Sequence, residues 1–253
     1  MFVGVLGPLY ISLEGVSGHV ELAPKPRTAL AVLMANAGVV VPASSLVREV
    51  WGDDPPVSGL RNIQTYVLQS RKVLARFTGK PARAVAGELL MTRPGGYVFS
   101  DACAQFDYDH YGHLVAEGRD AIRRGDPERG VPLLDRALRL WRGPAFVDVV
   151  TGCILEAQRR KWEESKLAVI ETLSSAKIEM GQHYEAAADL TACVFEHPLH
   201  EGLHYQYMRA LSMAGDRAHA LDVFSQLRLN LVAELGIEPS DVMRELQYSI
   251  LNS

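Results

Sequence analysis

Three glycines set the strictest limit on how this chain can fold. With Gly125, Gly181 and Gly215 in register, small residues follow five positions later (Gly130, Ala186, Ala220) and bulky ones nine later (Leu134, Leu190, Phe224). Ala137, Cys193 and Leu227 stand twelve positions later. A glycine, a small residue and then apolar residues at helical spacing describe a helix end followed by a second helix packed closely back on the first. The second and third copies are 34 residues apart, which is the spacing of stacked helix pairs. Each pair buries its neighbour's apolar face, so the array needs its terminal helices as caps. The first two copies are 56 residues apart, and a helix-sized insertion is expected between them. It contains Trp141-Arg142-Gly143-Pro144 and a long amphipathic stretch from Ile154 to Met180.

The front of the chain reads differently. Val3, Val5 and Leu6, then Leu9, Ile11 and Leu13, then Val20 and Leu22, suggest a small antiparallel sheet with a turn from Gly15 to Gly18. Pro24 and Pro26 stop it, and from Arg27 the residues Leu30, Leu33, Met34 and Ala37 predict a helix capped by Gly38. Pro42 suits the first turn of a second helix with Leu46, Val47, Val50 and Trp51 on one side. After Gly52-Asp53-Asp54-Pro55-Pro56, Ser58 is expected to cap a third helix running to about Phe77. A basic loop with Lys80 and Arg83 then leads to a hairpin, Leu89 to Phe99, around Pro94-Gly95-Gly96. Sheet, three helices and hairpin is the order of a winged helix-turn-helix. The fold class is therefore mainly α with a small β component: a winged helix (α+β) over residues 1–100, then an all-α tetratricopeptide-like repeat domain over 101–253.

Charge separates the same halves. Residues 1–100 hold 10 Lys and Arg against 6 Asp and Glu, whereas residues 101–253 hold 16 against 24. Only the front half is thus expected to approach a polyanion. No apolar run is long enough for a transmembrane helix, and the N-terminus lacks the basic start and apolar core of a secretory signal, so a cytoplasmic protein is expected. Cys103, Cys153 and Cys193 are too few and too far apart for a disulfide framework or a zinc knuckle and read as small buried thiols.

The third helix carries the sharpest chemistry. Ile63, Val67, Ser70 and Leu74 fall on one side, with Leu60 and Phe77 at its margins. The other side holds Arg61, Asn62, Thr65, Gln69, Lys72 and Arg76, and no acidic residue lies between Leu60 and Phe77. Amides pair with adenine edges, a threonine offers methyl and hydroxyl to bases, and cations hold phosphates, so this face suits the major groove. Arg93 and Tyr97 flank the hairpin turn, where a wing touches backbone or minor groove.

Gly7-Pro8-Leu9, Pro24-Lys25-Pro26-Arg27, Leu46-Val47-Arg48-Glu49-Val50-Trp51-Gly52, Ile63-Gln64-Thr65-Tyr66-Val67 and Arg93-Pro94-Gly95-Gly96-Tyr97 resemble the OmpR-type winged helix of the Streptomyces antibiotic regulatory proteins. Leu140-Trp141-Arg142-Gly143-Pro144, Glu196-His197-Pro198-Leu199 and Glu234-Leu235-Gly236-Ile237-Glu238-Pro239 resemble that family's bacterial transcriptional activation domain. The resemblance covers nearly the whole chain. It implies an activator of an antibiotic gene cluster that binds direct repeats in double-stranded DNA as a head-to-tail homodimer. It also implies recruitment of RNA polymerase holoenzyme with its primary sigma factor. Repeats about one helical turn apart would put both third helices on the same face of the duplex. By position, Asn62, Thr65 and Gln69 would face bases, while Arg61, Tyr66, Arg71 and Lys72 would hold phosphate, although Arg71 lies near the buried edge of the wheel. Arg76, Lys25, Arg27, Arg93 and Tyr97 would add backbone contacts. Larger relatives append an ATPase region or a forkhead-associated domain; with the sequence ending at Ser253, neither is expected.

Two other readings compete. The repeats could form a tetratricopeptide-type peptide-binding adaptor with the basic domain merely structural, but an adaptor has no need of an acid-free third helix. His200-Glu201-Gly202-Leu203-His204 matches the zinc-hydrolase pattern H-E-x-x-H. Pro198 places it at a helix start, and Tyr207 and Ala210 stand where the extended signature needs Gly and His, so polar residues opening a helix are expected there. With His197, the pair would at most hold adventitious nickel or zinc. Asp107, Asp109, His110 and His113 are expected to be a solvated helix start, and Trp141 and Trp162 packing residues. No nucleotide-binding glycine loop or nucleophile elbow is present, Gly15-Val16-Ser17-Gly18 included. The chain is thus expected to be no enzyme, with no cofactor, metal or small-molecule ligand.

Overall fold

A computed structural model describes residues 1–13 and 16–252. They form two compact units, Met1–Leu114 with Ala137–Glu164, and Val115–Arg136 with Ser165–Ser253.

The first unit opens with β1 (Phe2–Gly4), β2 (Tyr10–Leu13) and β3 (Val16–His19), paired antiparallel with Val3 opposite Ile11 and Ile11 opposite Gly18. Gly18 is therefore a strand residue and not part of a turn, and Gly15 lies outside the described residues. Helix α1 (Pro24–Ala35) begins at Pro24, three residues before the expected Arg27. Proline at the start of a helix lacks only an N–H that would have no partner, so the residues that stop the sheet also open the helix. The α1 residues Ala29 to Met34 are almost wholly buried, the helix packing on α2 (Ala43–Trp51), α3 (Gly59–Thr78) and β6 (Gly96–Phe99). Pro42 pairs within β4 (Val41–Pro42) and precedes α2 instead of lying in its first turn.

Ser58 stands at the start of α3 without a side-chain bond to the backbone; its hydroxyl accepts from Asn62 Nδ2 at 3.2 Å. The stretch read as a basic loop contains a short helix, α4 (Ala82–Glu88), formed by alanines around buried Val85. Strand β5 (Leu90–Arg93) pairs with β6 from Leu90–Phe99 to Arg93–Gly96, and β4 adds to the other edge of β6. A Cβ on Gly96 would collide with the Val41 carbonyl, so the three-stranded wing requires glycine there. Strand β7 (Gln105–Phe106) joins β1 in parallel, a pairing across about a hundred residues that no local pattern announces.

The connection 139–152 belongs to this unit. Arg142 N–H donates to Leu6 C=O at 2.8 Å and Phe146 N–H to Val5 C=O at 3.1 Å. Phe146, at 1% exposure, tilts against Trp162 at 5.4 Å, and Trp162 stacks on Tyr108 at 5.1 Å. The insertion is thus an ordered connection and an overlong helix, α7 (Cys153–Glu179), which has 27 residues against 13 in α9 (Glu201–Met213). It is not an added helix.

The remaining helices are α5 (Asp107–Arg123), α6 (Pro127–Leu138), α8 (His183–Glu196), α10 (Arg217–Leu235) and α11 (Asp241–Asn252). Gly125, Gly181 and Gly215 all take positive φ, 79°, 80° and 89°, after α5, α7 and α9. Each donates its N–H to the carbonyl three residues back, and the next residue bonds five back, so the three helix ends are the same structure. The registered Leu134 and Leu190 are fully buried, as are Ala186 and Ala220. Lys177, at 7% exposure, bonds Asp189 at 2.7 Å and lies 3.6 Å from Asp135, tying α6, α7 and α8.

All three cysteines are free, but they are not buried: Cys103 and Cys153 are exposed and Cys193 is half-buried. The small apolar thiol predicts burial only as an average tendency, and here chain position overrides it.

Candidate nucleic-acid interface

Helix α3 buries Ile63, Val67, Ser70, Val73 and Leu74. The Ser70 hydroxyl donates to Tyr66 C=O at 2.8 Å, so a polar residue sits in the core without an unmet bond. On the opposite face Arg61, Thr65, Gln69, Lys72 and Arg76 are exposed and Asn62 is half-exposed. Leu60, expected at the buried margin, is 58% exposed. At 100° per residue the exposed face centres on Leu68, which is 49% exposed between Arg61, Gln64, Thr65 and Lys72. Leu68 and Gln64 were not singled out by the sequence pattern because one is apolar and the other only one amide among several. An aliphatic group amid hydrogen-bonding residues is what a thymine methyl requires.

The other candidate contacts divide by what already holds them. Arg71 Nε donates to Leu90 C=O and Nη2 to Thr92 Oγ1, both at 2.9 Å, so this guanidinium braces the hairpin against α3. Burial pulls its pKa below the usual value. Tyr66 stacks on Trp51 at 5.8 Å, and Lys25 Nζ stands 5.2 Å over the same indole. That stack ties the start of α1 and the end of α2 to α3. Arg27 is paired with Asp148 at 3.3 Å. In the wing, Arg93 is exposed, with Nη2 3.2 Å from Met91 Sδ, whereas Tyr97 is only 8% exposed.

Three carboxylates that the sequence did not mark as important hold this scaffold. Glu49, at 4% exposure on α2, accepts the N–H groups of Gly152, Ile154 and Leu155 at 2.7–3.0 Å and so caps the start of α7. Asp148 accepts Leu9 N–H at 2.8 Å. Asp107, expected to be solvated, is 1% exposed. It takes the N–H groups of Val5 and Leu6 and the Arg142 guanidinium at 3.1 Å. Burial raises its carboxyl pKa, and these donors pull the other way. Asp109, His110 and His113 remain exposed, so the four do not act as one cluster.

The H-E-x-x-H residues are also occupied structurally. His200 caps α9, its Nδ1 accepting Leu203 N–H at 3.4 Å, and Glu201 accepts the Ser240 hydroxyl at 2.5 Å and its N–H at 2.9 Å. His204, 4% exposed, lies 3.0 Å through Nδ1 from His200 C=O. Burial, the largest influence, lowers its pKa. The folded state therefore keeps His204 neutral while the unfolded chain takes a proton near pH 6.5. Stability is full above that pH and is lost as pH falls from about 6.5 toward the lowered folded value. The thermal midpoint should drop over this range more in the wild type than in His204→Gln; equal drops would show that His204 is not the group responsible.

A helix with an acid-free exposed face, packed on a buried α1 and braced by a three-stranded wing, defines the chain as a winged-helix DNA-binding regulator. Residues 17–99 match the family described as transcriptional regulatory protein, C terminal, and residues 106–251 match the bacterial transcriptional activator domain. The chain belongs to the Streptomyces antibiotic regulatory protein family of transcriptional activators. It is 37% identical to the regulatory protein DnrI of Streptomyces peucetius over its whole length and 93% of that protein. It is 34% identical to the transcriptional regulator RedD of Streptomyces coelicolor, over 98% of this chain and 70% of RedD. The solved structure of Mycobacterium tuberculosis EmbR in complex with a low affinity phosphopeptide superposes with a TM-score of 0.85 at 30% identity. That match covers 99% of this chain and 64% of the EmbR chain. No helix among the described residues is long and apolar enough to cross a membrane.

Proposed function

We propose that this protein binds direct repeats in double-stranded DNA near the promoter of an antibiotic gene cluster, as a head-to-tail homodimer, and recruits RNA polymerase holoenzyme with its primary sigma factor. DNA contacts come from residues 1–100 and activation from residues 101–253, in the cytoplasm. The observation that carries the DNA reading is the exposed face of α3, which presents amides, a hydroxyl and cations without one carboxylate. Asn62, Thr65 and Gln69 read base edges, with Leu68 against a thymine methyl. Arg61, Tyr66, Lys72 and Arg76 hold phosphates, Lys25 and Arg93 reach the flanking backbone, and Arg71, Arg27 and Tyr97 act at the margin of the contact.

Fluorescence anisotropy against promoter DNA and a shuffled control, across a salt series, tests this. Thr65→Ala and Gln69→Ala should each cost about 1–3 kcal/mol on the preferred site and relax sequence preference. Lys72→Ala should weaken binding to every sequence and lower the salt slope by about one. Uniform weakening by all three, with preference unchanged, would refute the assignment of base-reading residues.

A further inference from the structure

A groove of about 970 Å³ lies in the second unit between α8 and α10, with α9 as its floor. Its α8 wall is apolar and ends at Phe195, whose ring is 88% exposed. Its α10 wall carries Asp222, Gln226 and Asn230, one helical turn apart. Gln226 Nε2 donates to Asn230 Oδ1 at 3.1 Å, which turns Gln226 Oε1 and Asn230 Nδ2 to other partners. Those two atoms are an acceptor and a donor, the complement of a peptide group. On the floor, His204 is neutral with Nδ1 directed at a carbonyl, so Nε2 is an acceptor. Thr191 Oγ1 donates its one proton to Ala187 C=O at 3.0 Å, so the Tyr207 hydroxyl, 3.4 Å from Thr191 Oγ1, donates to that oxygen and leaves its own lone pairs to accept. A trough with paired amide-reading groups suits an extended chain, since the backbone groups of a helix are satisfied within the helix itself. The α10 residues from His219 to Asn230 span about 16 Å, the length of about five extended residues.

Charge selects among such segments. Asp222 lines the groove and no Lys or Arg does, and residues 165–253 hold six Lys and Arg against twelve Asp and Glu. We infer that the α8–α10 groove binds an extended segment of a protein partner, about five residues long, in which apolar side chains alternate with Lys or Arg. Apolar side chains lie on the α8 wall, the backbone pairs with Gln226 and Asn230, and a cation meets Asp222. This deepens the activator reading and rests on it, because it gives the helical domain a surface for its protein contact.

The test uses the full chain and two labelled heptapeptides, one alternating Leu with Lys and one alternating Leu with Glu, with promoter binding measured in parallel. The lysine peptide should bind saturably and at least tenfold more tightly than the glutamate peptide. N-methylation of alternate backbone amides should cost it at least tenfold. Ala192→Trp fills the groove from an exposed position and should abolish peptide binding while leaving promoter binding unchanged; Asp222→Lys should reverse the charge preference. Absent binding of the lysine peptide, equal binding of the two, or indifference to Ala192→Trp overturns the groove assignment. Failure of the unaltered chain to prefer promoter DNA strikes the activator reading instead.

Discussion

A chain cut after Ser100 is expected to lose cooperative folding, although it retains every residue assigned to DNA. The cut removes Phe106 and Phe146, at 2% and 1% exposure, and Trp162 at 8%. Burial of each such side chain contributes about 1.5–3 kcal/mol. It also removes strand β7, the main-chain bonds from Arg142 and Phe146 to Leu6 and Val5, and the Asp107 and Asp148 carboxylates that hold Val5, Leu6 and Leu9. Domains have about 5–15 kcal/mol to lose, so these losses together exceed the margin. Circular dichroism on heating should show no sigmoidal transition for residues 1–100 and a restored one for residues 1–164. A cooperative transition in the shorter chain, near the midpoint of the longer, would show that the 101–164 contacts are incidental.

Glu49→Ala should be the most damaging single change in the helix-turn-helix. It leaves the N–H groups of Gly152, Ile154 and Leu155 without their acceptor, the last in a buried bond and the other two in part-buried ones. It also removes the negative charge from the start of α7. At about 1–3 kcal/mol for each buried donor left unmet, less what relaxation recovers, the loss should reach about 3–5 kcal/mol in urea unfolding. Arg48→Ala, at the exposed neighbouring position, should stay within about 0.5 kcal/mol. Similar midpoints for the two variants would mean that the cap carries no stability.

What could be read without a structure was what repeats over a turn or two of chain. The wheel of α3 placed Ile63, Val67, Ser70 and Leu74 inside and Arg61, Thr65, Gln69 and Lys72 outside because a helix fixes both at once. The hairpin followed from Pro94-Gly95-Gly96 between two apolar runs, and the helix pairs from three glycines that end helices in the same way. Each is a local property of backbone geometry. Helix α4 was equally local but hidden, since Lys80-Pro81 reads as a loop and the segment after it is only seven residues long, too short to show a helical period although its alanines favour a helix.

The sequence by itself therefore determined the two kinds of architecture, their order, and the face of α3 that is free to meet DNA. Only the tertiary structure decided where the first folding unit ends, which carboxylates hold it, and which candidate cations are already engaged. Glu49 and the N–H groups that donate to it are 103 to 106 positions apart, Asp107 and Val5 are 102 apart, and Arg27 and Asp148 are 121 apart. Over such distances neither periodicity nor propensity carries information. A carboxylate in a charged stretch looks the same whether water or three backbone N–H groups will solvate it, and folding alone makes that choice.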